Sequence, residues 1–178
     1  MREGKLEMTS DGRAATVVAK DRDHLEKLIE EAIREKGPNC DLNFIDVSGI
    51  ADMSGLFEDS EFDGDISKWN VSSVTDMSEM FAGAEFKGDI SKWDISGVTD
   101  MSSMFEASAF AGDISRWNVS KVENMRAMFK GANFDGDISK WDVSGVKNMA
   151  AMFEDSEFTG DVSKWNVSRE TCMLRIFG

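Results

Sequence analysis

Five serines, five cations and five aspartates recur through this chain at one interval of 24 residues. The serines are Ser67, Ser91, Ser115, Ser139 and Ser163, and the aspartates are Asp65, Asp89, Asp113, Asp137 and Asp161. A serine becomes a nucleophile only with a base at hydrogen-bond range. The single histidine, His24, cannot serve five such sites, and it has no second His or Cys nearby to share a metal. It is read as a solvent-facing helix residue. Each aspartate follows a glycine, and Gly-Asp repeats in some β-helices bind Ca²⁺. Calcium takes about six to eight oxygens. One carboxylate per repeat, three residues before a cation, fits better as a cap on turn N–H groups. The methionine columns (Met77, Met101, Met125, Met149, Met173 and Met80, Met104, Met128, Met152) carry the thioethers that Cu(I) favours. Their periodic apolar placement marks them as core filler instead. No catalytic residue, metal or cofactor is expected.

What remains is recognition. Stacking the copies turns each repeated residue into a ladder. The candidate binding ladder is Lys68, Lys92, Arg116, Lys140 and Lys164, flanked by Asn70, Asp94, Asn118 and Asp142. The flanking column, from Asp46 to Asn166, alternates Asp with Asn throughout. Like charges directly opposite one another are destabilising, so alternation sets each carboxylate beside an amide donor. It also marks a double unit made by duplication or by design. A face this uniform suits a repetitive ligand or weak multivalent contacts. It is too uniform and polar to be the distinctive patch, with aromatic or Arg anchors, that a specific protein epitope needs. A specific partner would use the variable rim, such as Ser73, Gly97, Lys121, Gly145 and Arg169. Ice binding is not expected, because the exposed ladder is Ser and Lys rather than rows of Thr.

These ladders need a scaffold with the same period. Trp69, Trp93, Trp117, Trp141 and Trp165 are spaced by 24 residues, and so are Phe57 to Phe177 and Phe62 to Phe158. The array starts near Asp41 in a diverged copy, runs five full units and stops inside a sixth. Within the unit, Trp69 and Val71 are two apart, the period of a strand. Val74, Met77 and Met80-Phe81 step by three and four, the period of a helix. The spacing predicts a short strand over 68–72 and helical turns over 74–81, with Ser72 and Asp76 as helix-start residues. Gly64, Gly88, Gly112, Gly136 and Gly160 suit a positive φ or a crowded backbone. No unit of this size buries its apolar edge alone, so the copies must stack. The expected fold class is α/β: a leucine-rich-repeat-like right-handed solenoid of short parallel strands and short helical turns. It forms one continuous domain over 41–178.

Residues 1–40 read as an N-terminal strand-helix cap. "AATVVAK" suits a strand, and "DRDHLEKLIEEAIREKGP" suits a helix with Asp21 as N-cap and Gly37-Pro38 as its stop. At the other end Arg169 and Arg175 are expected to shield the last layer. Otherwise the last layer is partly open, and either end-to-end self-association through the C-terminal coil or an array cut from a longer one is expected. Cys40 and Cys172 are too far apart to pair: five coils at roughly 4.8 Å exceed the ~7 Å Cα reach of a disulfide.

The chain has 178 residues, 41% of them hydrophobic, and a net charge of −14. That is one ordinary domain with enough apolar content for a core. The charge argues against nucleic acid and anionic membrane surfaces as partners. No run is long and apolar enough to insert in a membrane.

The repeats also resemble a known family. "GDISKWDVSGVKNMAAMF" and its neighbours, with D-I-S-x-W-[DN]-[VI]-S followed by V-x-[DN]-M-x-x-M-F, are similar to the repeats of BspA-like leucine-rich-repeat surface proteins, the type also seen in mycoplasma lipoproteins. The resemblance covers about residues 41–178. It implies a bacterial cell-surface or secreted protein that adheres to or binds a protein or glycan and is not an enzyme. The start carries no signal-peptide segment or lipobox cysteine, which leaves a cytoplasmic protein or a trimmed leader as the reading. The alternative is a purely structural or engineered repeat scaffold with no ligand of its own.

Overall fold

The computed structural model describes residues 16–178. The strand expected over 14–20 lies partly outside them. Its described part holds β1, Val17–Val18, followed by α1, Arg22–Lys36, and β2, Ile45–Asp46. α1 starts and stops where its sequence dictates. The extended Asp21 accepts the His24 N–H at 2.8 Å, and Gly37 leaves the helix at φ 87° while its N–H bonds the Ile33 carbonyl. Leu25, Ile29 and Ala32 are buried in the main core. β1 pairs in parallel with β2, Val17 opposite Ile45.

From Asp41 onward the chain returns beside itself once per interval. Parallel bridges join Asp52, Asp76, Asp100, Asn124, Asn148 and Cys172 in one unbroken series. Asp41 meets Asp65, and Phe153 meets Phe177, in the same way.

The local elements differ from the sequence-based expectation. No strand forms over 68–72 and no helix over 74–81. Around the tryptophan the chain makes tight turns, with the Trp69 N–H on the Ile66 carbonyl and the Val74 N–H on the Val71 carbonyl. The windings are instead joined through the segment expected to be helical. The N–H groups of Met77, Glu79, Phe81 and Gly83 donate to the Asp100, Ser102, Met104 and Glu106 carbonyls of the next winding at 2.7–3.0 Å. The intervening Met80, Ala82 and Ala84 amides turn back to Met77, Glu79 and Phe81. The apolar steps of three and four therefore report successive three-residue turns. An N–H spent on a neighbouring winding cannot close a helical i−4 bond. Two residues per winding are also left-handed, which a right-handed helix excludes. One series is Gly55, Glu79, Ser103, Ala127, Ala151 and Arg175; the other is Asp59, Gly83, Ala107, Gly131 and Asp155.

The core is a set of aromatic columns. Phe57, Phe81, Phe105, Phe129, Phe153 and Phe177 stack nearly parallel at 5.4–5.8 Å between centroids. Phe62, Phe86, Phe110, Phe134 and Phe158 form a second stack at 6.1–6.4 Å. The two stacks touch within each winding at 4.2–4.6 Å, at or just under the short end of the range aromatic pairs favour. Trp69, Trp93, Trp117 and Trp141 are buried beside them. Of the two roles open to the Gly column, crowding is the one found. A Cβ on Gly88 would sit 2.6 Å from the Phe86 ring, and the other copies are as close to their own phenylalanine.

The last winding is less covered. Trp165, Val162 and Val167 are half-buried, and Met173, Leu174 and Phe177 are exposed. Arg175 reaches the preceding winding, its Nη1 3.1 Å from Glu154 Oε1. Cys40 is buried, Cys172 is exposed, and both are free.

Candidate binding face

The candidate face is built on a two-residue turn. In each winding an aspartate Oδ1 accepts the N–H of the serine two residues on. The pairs are Asp65 with Ser67, Asp89 with Ser91, Asp113 with Ser115, Asp137 with Ser139 and Asp161 with Ser163, at 2.9–3.0 Å. This Asx turn closes locally and carries the following residue, the cation, out into solvent. Lys68, Lys92, Arg116, Lys140 and Lys164 are all exposed. Among the described residues none of the five lies within ion-pair distance of a carboxylate.

The carboxyls still respond to them. Bonds from the Ser91 side chain and backbone, and then the charge of Lys92, hold Asp89 below the usual carboxylate range. Ser115 with Arg116, Ser139 with Lys140 and Ser163 with Lys164 do the same for Asp113, Asp137 and Asp161. At Asp65 the Ser67 backbone bond is the main cause, with Asn43 and Lys68 adding to it. Successive windings enclose shallow hollows. Ser91, Lys92, Asp113 and Arg116 line one; Ser115, Arg116, Asp137 and Lys140 line the next. Arg116 belongs to both, so the structure brings the central rungs onto one continuous surface.

Asn70, Asp94, Asn118 and Asp142 are exposed as well. Each accepts the N–H of the serine two residues on, Ser72, Ser96, Ser120 or Ser144, at 3.1–3.2 Å. Residues expected to start a helix therefore close turns, and Asp76 closes a third such turn with Ser78. The Asp/Asn alternation has a counterpart on the rim. The Ser96 bonds, followed by the charge of Lys121 one winding on, hold the Asp94 carboxyl low. Counting the same distance from Asn70 and Asn118 reaches Gly97 and Gly145; from Asp142 it reaches Arg169. A basic rim residue follows two of the three carboxylates, Asp94 and Asp142, while Asp46 is followed by Ser73; a glycine follows the amides Asn70 and Asn118.

Two features escaped the sequence reading. Each indole Nε1–H donates to a carbonyl of the preceding winding, Trp69 to Leu42 and Trp93 to Ile66, through to Trp165 and Ile138, at 3.0–3.2 Å. A run of opposite charges also stitches consecutive windings. Lys130 Nζ lies 3.6 Å from Glu106 and 3.8 Å from Glu154, and Glu154 meets Arg175. Comparing charges one interval apart reveals this second feature. Nothing in the spacing reveals the first.

The other candidates sit as follows. Met77, Met80, Met101, Met104, Met125, Met128, Met149 and Met152 are buried in the core, and Met173 is exposed. His24 Nδ1 accepts the Lys20 N–H at 3.2 Å. Among the described residues no three His, Cys, Asp or Glu groups are placed to hold a metal ion. No described helix is long and apolar enough to cross a membrane.

Among curated proteins and among solved structures nothing matches the chain. One family model matches it twice, over residues 25–133 and over residues 107–178. Together the two stretches run from α1 to the last winding, and the chain belongs to that family, described as Mycoplasma protein of unknown function, DUF285.

Proposed function

We propose that this chain is a non-enzymatic interaction or adhesion module of bacterial cell-surface type. We further propose that its windings over 41–178 are a leucine-rich-repeat-like, right-handed solenoid of the BspA-like kind, closed at one end by the strand and helix of residues 1–40. The observation that supports the binding role is the row of exposed cations without carboxylate partners among the described residues, held in register by identical Asx turns. A single exposed ion pair is worth about 0–1 kcal/mol, so one rung recognises little. Rungs held at fixed spacing act together, because engaging the first raises the effective concentration of the next. The ligand class that exploits this is an extended, repetitive protein or glycan.

The test is binding to arrayed glycans and surface proteins by the chain and by its K92E/R116E variant. The variant is expected to bind at least tenfold more weakly. Equal binding by both would reject the face. Labelling of intact cells with an antibody to the chain tests the surface location, and labelling only after lysis would reject it.

A further inference from the structure

The candidate face is not cationic. In each winding the aspartate column runs three residues from the cation column, five groups of one sign against five of the other. Asp113 shares a hollow with Lys92 and Arg116, and Asp137 shares one with Arg116 and Lys140, so both columns lie on one surface. Neither sign is closed off in an internal ion pair among the described residues, although each aspartate feels the cation of its own winding. The cations have no ion-pair partner among the described residues. Asp89, Asp113 and Asp137 commit Oδ1 to a serine N–H, and no described group bonds their Oδ2.

Two parallel columns of opposite sign offer no net attraction to a polyanion or a polycation. Their complement carries the same two columns with the sides exchanged, at the same period. A half-turn of this very face about the stacking axis produces that surface. The rotation exchanges left with right and leaves position along the axis unchanged, so the cation of each winding meets the aspartate of the same winding in the other copy. Slipping by a whole winding still sets cation against aspartate but leaves rungs at the ends unpaired, whereas antiparallel docking or a sideways shift sets like charges together, which costs binding.

Resting on the reading of the ladder as a binding face, we propose that its occupant is a second copy of this chain, docked side by side and parallel about a twofold axis along the stack. Each rung then contributes two exposed ion pairs, and the common period makes the rungs act in concert. The net charge of −14 opposes the approach. Screening over about 8 Å at physiological ionic strength confines that repulsion to short range.

Sedimentation equilibrium of the full chain at physiological salt tests this. The wild type is expected to dimerise with increasing concentration. K92E/R116E/K140E, whose three central rungs are wholly acidic, is expected to dimerise at least tenfold more weakly. So is D89N/D113N/D137N, whose face is left cationic. Asparagine preserves the turn in that variant, as Asn70 and Asn118 do in the neighbouring column. An equimolar mixture of the two variants is expected to restore the dimer as a heterodimer. A wild type that stays monomeric at the highest attainable concentration overturns the proposal, as does a dimer indifferent to both variants. If the wild type is monomeric while K92E/R116E still abolishes capture of a glycan or protein probe, self-docking falls and the binding face stands. If the substitutions change neither, both readings fall.

Discussion

Trp117 donates its Nε1–H to the Ile90 carbonyl at 3.2 Å from a buried position. Trp117→Phe keeps much of the apolar contact and leaves that carbonyl without a partner. A buried group stranded in this way costs about 1–3 kcal/mol, and urea unfolding of the variant should show a loss of that order. The left-handed positions predict the opposite sign. Ala107 is exposed and held at φ 52°, a conformation costing an L-residue about 1–2 kcal/mol. Gly131 occupies the equivalent place one winding on. Ala107→Gly is therefore expected to stabilise the chain by roughly 0.5 kcal/mol once the extra freedom of unfolded glycine is subtracted, read in the same urea titration. The aromatic columns were legible in the sequence because a shared interval is visible without coordinates. The indole's partner was not, because it is a main-chain oxygen and any residue type supplies one.

α1 was legible for a different reason. Its N-cap, apolar stripe and terminal glycine are local signals, and each settles its own stretch of chain. The windings carry no such local signal. The steps from Val74 to Phe81 fit a helix and a chain of three-residue turns equally well. What decides between them is where Met77, Glu79, Phe81 and Gly83 send their N–H groups, and that depends on the neighbouring copy. The same logic explains Arg22. In the first winding the Ser54 carbonyl has no earlier winding to bond, and the Arg22 guanidinium donates to it while meeting Asp52 and Glu26. Arg22→Met should cost about 1 kcal/mol, with hydrogen exchange accelerated at residues 53–57 before it changes in later windings. The Asx turns predict an acid limit. Asp89, Asp113, Asp137 and Asp161 sit below their ordinary value of 3.8 when folded. Their contribution is complete above that value and is lost as pH falls through the lower folded values. Thermal melts followed by circular dichroism should show stability declining over the window in which pH is lowered below 3.8. An unchanged melting temperature across that window would contradict the turn assignment.

On the scale of the whole molecule, each winding touches only its neighbours, so stability is carried as a sum of windings and their interfaces. The ends should open first. Four of the five tryptophans are buried, while Trp165 is half-buried. Acrylamide is expected to quench one accessible class of tryptophan fluorescence, and Trp165→Phe to remove that class. Quenching shared evenly among all five would show that the stack breathes throughout. The repeat and its length were legible from composition and spacing alone. The direction of the bonds between windings was not. From Met77 to Gly83 every alternate amide points its hydrogen toward the following winding, and the carbonyls between them face back. These peptide dipoles add along the stack as they do along a helix, so this segment gives the molecule an electrical head and tail. A guanidinium already sits at the carbonyl pole. A lid for the opposite pole would have to bring oxygen rather than nitrogen, and so the two closures of such a rod are not interchangeable.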